Sequence, residues 1–183
     1  GLALDDIDGL AVTAGPGLVG SLLVGVSVTK AIALARDLPM IGVHHIEGHI
    51  QSNFLEEVQP PYPSIVLVVS GGHTELVLME APLEYKIIGK TRDDAAGEAF
   101  DKVAKLLNLG YPGGPVIQKT AEGGDSTFAA FPVSTVPDYE FSFSGLKTAV
   151  LVYVRQKGED YVQENLPHIL ASFQEAVVEA LVI

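Results

Sequence analysis

The sequence predicts an α/β protein, and three observations predict it. A short apolar strand, a helix of small residues and a second short strand follow one another between Gly9 and Val43. A near-continuous apolar run, Ser64 to Ser70, then turns back on itself through Gly71-Gly72. Beyond Ala95 the apolar residues recur at helical spacing. Strand–helix–strand order is the pattern of parallel strands joined by a helical crossover, whereas two-residue turns join antiparallel ones. The two halves therefore differ in style.

Each element has its own warrant. Gly9 to Ala14 reads as a buried strand broken by Gly15-Pro16-Gly17. Ser21 caps a helix running to Arg36, whose Gly25, Ser27 and Ala31 let it lie close to a sheet. Pro39 to Val43 is the second strand, and His44 to Glu57 a helix. Gln59-Pro60-Pro61-Tyr62-Pro63 can continue neither a helix nor a central strand, so the first lobe is expected to span 1–63 and the second 64–183. In the second, Ser64–Ser70, Glu75–Met79 and Tyr85–Thr91 form a meander. A helix follows from Ala95 to Leu109, with Phe100, Val103, Ala104 and Leu107 on one face, Asp101 and Lys105 one turn apart, and Gly110 as its stop. Tyr111 to Pro115 reads as a loop, Leu146 to Lys157 as a helix with Ser144 as cap, and a last helix begins near Pro167.

Composition bounds the function. With 48% hydrophobic and 19% charged residues among 183, the chain can bury a core and is not a disordered segment. A formal net charge of −12 argues against a simple nucleic-acid grip, which needs a basic footprint. The absence of cysteine excludes disulfides and thiolate-held metals and is compatible with a reducing cytoplasm, the expected location. The longest weakly charged segment, Leu18 to Ala35, carries Lys30, so no transmembrane helix is expected, and no signal peptide is visible. The first residue is Gly1, and the terminal helical pattern stops at Ile183 without a cap, so the chain is expected to be a piece from the middle of a longer protein.

Four constellations can carry chemistry. In His45-Ile46-Glu47-Gly48-His49 two imidazoles one helical turn apart can chelate one divalent metal, though solvated histidines also occur at this spacing. His44 is an alternative ligand, but it points about 100° away from His49 on a helix. A third ligand is needed and is expected outside this chain. The zinc-peptidase helix places its catalytic glutamate directly after the first histidine, where this chain has Ile46, which speaks against peptide hydrolysis. In Val68-Val69-Ser70-Gly71-Gly72-His73-Thr74 the glycines let backbone N–H groups approach an anion, with Ser70 and Thr74 adding hydroxyls; an ordinary hairpin turn uses the same pair. In Asp93-Asp94 to Asp101 the first carboxylates complement the helix dipole, but Asp101 lies two turns in, where it can accept ribose hydroxyls or a substrate ammonium. Gly113-Gly114 is a place where backbone meets a flat ligand or a tight turn.

The wording and order of these motifs go further than any one of them. His44-His45-Ile46-Glu47-Gly48-His49, Val69-Ser70-Gly71-Gly72-His73-Thr74, Asp93 through Lys102, Tyr111-Pro112-Gly113-Gly114-Pro115 and Phe141-Ser142-Phe143-Ser144-Gly145-Leu146-Lys147-Thr148 together resemble the TsaD family throughout. These are bacterial tRNA N6-adenosine threonylcarbamoyltransferases, formerly called O-sialoglycoprotein endopeptidases. The resemblance implies a two-lobed fold of the actin, sugar-kinase and Hsp70 type, incomplete here at both ends. It implies His45 and His49 as metal ligands, for iron(II) or zinc. It implies that Val68, Val69, Ser70, Gly71 and Gly72 line a threonylcarbamoyl-adenylate site and that Asp101 and Gly114 contact its nucleoside. An aspartate ligand and a substrate-binding asparagine would come from a C-terminal segment outside this chain. The implied reaction is attack of the N6 amine of the adenosine 3′ to the anticodon on the activated carbonyl, with AMP leaving; His73 is a candidate base by type only. Implied partners are tRNA and TsaB-like and TsaE-like subunits, with no membrane; the basic surface for tRNA is expected from a partner or from segments outside this chain. The alternatives are a non-catalytic scaffold subunit of the same fold and a zinc metallopeptidase.

Overall fold

The computed structural model describes residues 3–182. It divides into two compact units between Pro61 and Tyr62. The first is the strand–helix–strand expected. Strand β1 (Leu10–Gly15) pairs in parallel with β2 (Met40–His44), Leu10 opposite Met40 and Val12 opposite Gly42. Helix α1 (Val19–Arg36) crosses between them and packs on β1, where a β-carbon on Gly25 would stand 3.7 Å from the Val12 side chain. Asp37 ends it in the left-handed conformation at φ 53°.

Two expectations need correction here. Ser21 does not cap α1; the helix starts at Val19 directly after the Gly15-Pro16-Gly17 turn, and Ser21 lies exposed in its first turn. By length and composition α1 is also apolar enough to cross a membrane, because its only charges are Lys30 and Arg36. Its packing on β1 is what a crossover helix does, and its outer face leaves Leu23, Val24 and Val28 exposed.

Helix α2 (His45–Ser52) is shorter than expected and passes into a 3₁₀ turn at Asn53–Leu55. Side chains take its last carbonyls: Ser52 Oγ donates to His49 O at 2.7 Å and Asn53 Nδ2 to Ile50 O at 3.0 Å. Such local bonds compete with the helical ladder. Ile46 and Ile50, one turn apart, anchor the helix as its buried stripe.

The second unit opens with the predicted meander. Strands β3 (Ser64–Val69), β4 (Thr74–Ala81) and β5 (Glu84–Lys90) are antiparallel in that order, Val69 opposite Thr74 closing the first hairpin. Five helices follow: α3 (Ala96–Leu106), α4 (Gly113–Ala121), α5 (Ser144–Lys157), α6 (Glu159–Glu164) and α7 (Leu166–Val182). Val103 of α3, Ile117 of α4, Val150 of α5 and Phe173 of α7 are fully buried in one core. The Phe100 ring meets Phe173 edge-on at 5.1 Å.

Helices α4 and α6 were not expected. The Tyr111–Pro115 stretch is no loop beyond Pro112: Gly113 already opens α4, because its N–H finds a cap on Asp101. Helix α3 ends before Gly110, since Asn108 takes the left-handed conformation at φ 53° and the Leu109 N–H closes back on Ala104 O at 2.9 Å. Asn, like Gly and the Asp37 that ends α1, tolerates this conformation. Asp101 and Lys105 make no ion pair; the Asp101 carboxylate accepts from the Gly113 N–H instead.

Candidate functional site

The histidine pair sits on the outer face of α2. With Ile46 and Ile50 buried, the preceding positions, His45 and His49, are rotated onto the exposed side. Their rings meet edge-on, and the two Nε2 atoms stand 3.3 Å apart. Two nitrogens bound to one tetrahedral ion at about 2.0–2.1 Å lie roughly 3.3–3.4 Å from each other. The pair therefore fits two ligand positions of one metal. Among the described residues no group of three or more His, Asp or Glu is placed to complete such a site. His44 stands apart from the pair as the N-cap, its Nδ1 accepting from the Glu47 N–H at 3.4 Å.

The glycine hairpin is a tight turn built around Ser70. The Ser70 N–H donates to His73 O at 2.8 Å, and Ser70 Oγ accepts from His73 N at 3.0 Å and, more weakly, from Gly72 N at 3.4 Å. Gly71 and Gly72 are exposed, and a β-carbon on either would meet nothing within 4 Å. Val68 is buried and Val69 is 44% exposed, as strand alternation requires. Thr74 is not free to meet a ligand. It is fully buried, and its Oγ1 accepts from the Ala96 N–H at 2.9 Å. His73 is half-buried.

Helix α3 begins on that hairpin. Its N-cap, Ala95, has no side chain with which to cap, and the first two helical amides are taken by the hairpin instead. Ala96 N–H goes to the Thr74 hydroxyl, and Gly97 N–H to Ser70 O at 3.1 Å. Gly97 has to be glycine, since a β-carbon there would lie 2.6 Å from Ser70 O and 2.7 Å from Gly71 Cα.

One turn on, α3 makes the second junction. Asp101 Oδ1 accepts from the Gly113 N–H at 2.7 Å, capping α4 from across the loop. A β-carbon on Gly113 would meet Phe100 O at 2.5 Å, so the two helices touch backbone to backbone. The glycine pair thus divides in role. Gly113 is buried packing, and Gly114 beside it is partly exposed with nothing within 4 Å of its missing β-carbon. Asp101 also lines an open groove of about 640 Å³, together with Glu98, Lys105, Asn108 and Tyr111. Lys102 is tied down by ion pairs to Asp94 and Glu98, which hold its ammonium above the usual lysine range.

Sequence reasoning missed one residue of this assembly. By sequence Asp93 only complements the α3 dipole, yet its carboxylate is bound by Ser142 and Ser144, about fifty positions along the chain. The one available signal was that both serines lie inside a motif already singled out.

Comparisons bear on the whole chain. A family profile described as "TsaD: tRNA N6-adenosine threonylcarbamoyltransferase" matches residues 1–183. A protein of Syntrophus aciditrophicus with that name is 55% identical over 182 residues, all of this chain and 54% of the relative. One from Caldicellulosiruptor bescii is 56% identical over 185 aligned positions, with 100% and 54% covered. One from Clostridioides difficile is 51% identical, with 98% and 54% covered. The chain thus spans about half the length of the curated relatives it matches. A match over every residue, at these identities, makes the chain a member of the TsaD family, the tRNA N6-adenosine threonylcarbamoyltransferases.

Proposed function

We propose that this chain is part of an acyltransferase that moves the threonylcarbamoyl group from threonylcarbamoyl-adenylate to N6 of the adenosine 3′ to the anticodon of tRNA. The observation that carries the reading is the joining of three sequence motifs by hydrogen bonds from the helix-start amides, one to a backbone carbonyl and two to side-chain oxygens. The glycine hairpin is bonded to the start of α3, and α3 through Asp101 to the start of α4. Groups that touch one nucleotide have to keep fixed spacing, and a rigid support does this.

Within the second unit each group has a task. Gly71 and Gly72 are exposed, with nothing within 4 Å of either missing β-carbon, which suits the phosphate and acyl portion. The free oxygen of Asp101 accepts from a ribose hydroxyl, and open Gly114 lets the nucleoside lie close to the α4 backbone. Val69 lines the approach, buried Val68 contributes only its backbone, and Ser70 keeps the turn in shape. In the first unit His45 and His49 supply two imidazole ligands for iron(II) or zinc. When bound, such an ion supplies Lewis-acid stabilisation of developing oxyanion charge.

The net charge of −12 leaves the grip on tRNA to other surfaces. Those surfaces belong to TsaB-like and TsaE-like subunits or to further parts of the protein, and the setting is the cytoplasm. Neither the scaffold nor the peptidase reading gains support: a scaffold has no use for paired Nε2 atoms, and Ile46 is buried where the peptidase base would stand.

The test is to incubate the full-length protein and its partners with unmodified tRNA and threonylcarbamoyl-adenylate and to weigh the tRNA. A metal-dependent mass gain on the target adenosine is expected. No gain, or cleavage of a glycoprotein without a tRNA product, overturns the proposal.

A further inference from the structure

We propose that Asp93 is a positioning residue for the adenylate-holding assembly, pinning the segment that feeds α3 and so holding the Ser70–Gly72 hairpin in place. The proposal rests on the adenylate reading above. Four donors converge on this one carboxylate. Oδ2 accepts from Ser142 Oγ at 2.6 Å and Ser144 Oγ at 2.8 Å; Oδ1 accepts from Phe143 N at 2.8 Å and Ser144 N at 3.2 Å. An ionised carboxylate offers about four lone-pair sites and no donor, so it alone among side chains satisfies all four. The same count leaves it no lone pair for substrate, which makes it a support and not a contact.

The support is needed at this point of the chain. Phe143, the N-cap of α5, has no capping side chain, and Asp93 takes that role from another segment. Beside it the two segments are zipped: Arg92 N donates to Phe141 O at 2.9 Å, Phe141 N donates to Lys90 O at 3.1 Å, and Arg92 pairs with Glu140. Four residues later Gly97 is bonded to Ser70 O. A short span fixed at both ends transmits its position. Released at Asp93, the start of α3 loses the tie nearest to it and is held from Arg92, one residue further back.

The experiment uses the full-length protein with Asp93→Ala and, separately, Ser142→Ala with Ser144→Ala, which keeps the carboxylate and removes two donors. Hydrogen exchange is read over 70–74 and 95–98 and over the core around Val103 and Ile117, and AMP affinity is measured as the functional readout. Asp93→Ala is expected to speed exchange at the hairpin and the α3 start by roughly tenfold or more, with the core unchanged. It is expected to weaken AMP by a similar factor, and the serine variant to do part of both. Unchanged hairpin exchange, or loosening spread equally through the core, overturns the proposal. Failure of the unsubstituted protein to bind AMP would sink the adenylate reading instead, and the exchange data would still decide Asp93. If Asp93→Ala does not fold, the serine variant carries the same comparison.

Discussion

The Gly97 amide donates to the Ser70 carbonyl at 3.1 Å, and a β-carbon on Gly97 would sit 2.6 Å from that same oxygen. The contact is backbone on backbone, so no side-chain rotation can relieve it. Gly97→Ala is expected to destabilise the protein by about 1–3 kcal/mol, the usual cost of overpacking. It should also displace the hairpin and weaken AMP. Denaturant unfolding and AMP titration check both, and an alanine variant of unchanged stability would show that the hairpin yields freely.

Thr74 supports the same junction from the other side. Its hydroxyl is fully buried and accepts from the Ala96 N–H. Thr74→Val keeps the shape and leaves that amide without a partner, at a cost of about 1–3 kcal/mol. Thr74→Ser keeps the acceptor and should recover most of the loss. Equal stability of the valine and serine variants, measured by thermal unfolding, would contradict the assigned bond.

Gly113 and Gly114 differ in what an added methyl group would meet. A β-carbon at Gly113 would meet Phe100 O at 2.5 Å and Asp101 Cα at 2.7 Å, so Gly113→Ala is expected to cost stability by about 1–3 kcal/mol. Nothing lies within 4 Å of the corresponding position at Gly114. Gly114→Ala should leave stability near that of the parent and weaken AMP, as a methyl group enters the space proposed for the nucleoside. Parallel unfolding and binding curves read the difference, and loss of stability without loss of AMP binding in Gly114→Ala would reverse the assignment.

These glycines also mark what the sequence could and could not reveal. The strands and the helical core face were legible because apolar spacing reports burial directly: Val103 and Ala104 are buried where the 3.6-residue period puts them. Helix α4 was not legible. Two glycines and a proline read as a loop until Asp101, twelve residues earlier, is seen to cap them. The Thr74 hydroxyl was read as open to ligand because its partner amide lies twenty-two residues on, and Asp93 was read as local dipole complement because its serines lie about fifty residues on. Bonds that close over such distances leave no trace in local propensity or periodicity. The histidine spacing was legible, since the i, i+4 relation is set by the helix alone.

The Asp93 carboxyl has a pH signature. Burial works to raise its pKa, but the hydrogen bonds from Ser142, Phe143 and Ser144 together outweigh it and hold the group below the usual carboxylate range. A group whose pKa is depressed on folding contributes stability that is present above the unfolded value, about 3.9, and lost as pH falls through the folded value. Unfolding free energy should therefore fall below about pH 4 in the parent. The slope should be shallower in Asp93→Asn, which cannot titrate. Coincident pH–stability curves for the two proteins would show that the carboxyl makes no net contribution to folding.

The histidine pair allows a test in which metal affinity and stability part ways. Both rings are exposed, and each has the other as its hydrogen-bond partner. Neither is part of the buried stripe of Ile46 and Ile50 that holds α2. His45→Ala and His49→Ala should therefore change stability by no more than about 0.5 kcal/mol, as for other surface substitutions. Each leaves one imidazole where a chelate needs two, so affinity for cobalt(II), a spectroscopic stand-in for iron or zinc, should fall by about a hundredfold or more. His44→Asn instead keeps an N-cap acceptor and, with His45 and His49 as the proposed ligands, should retain cobalt affinity. Cobalt absorption titrations on the full-length protein measure all three. Strong cobalt binding by His49→Ala, or its loss in His44→Asn, would mean that the ion takes a different pair of nitrogens.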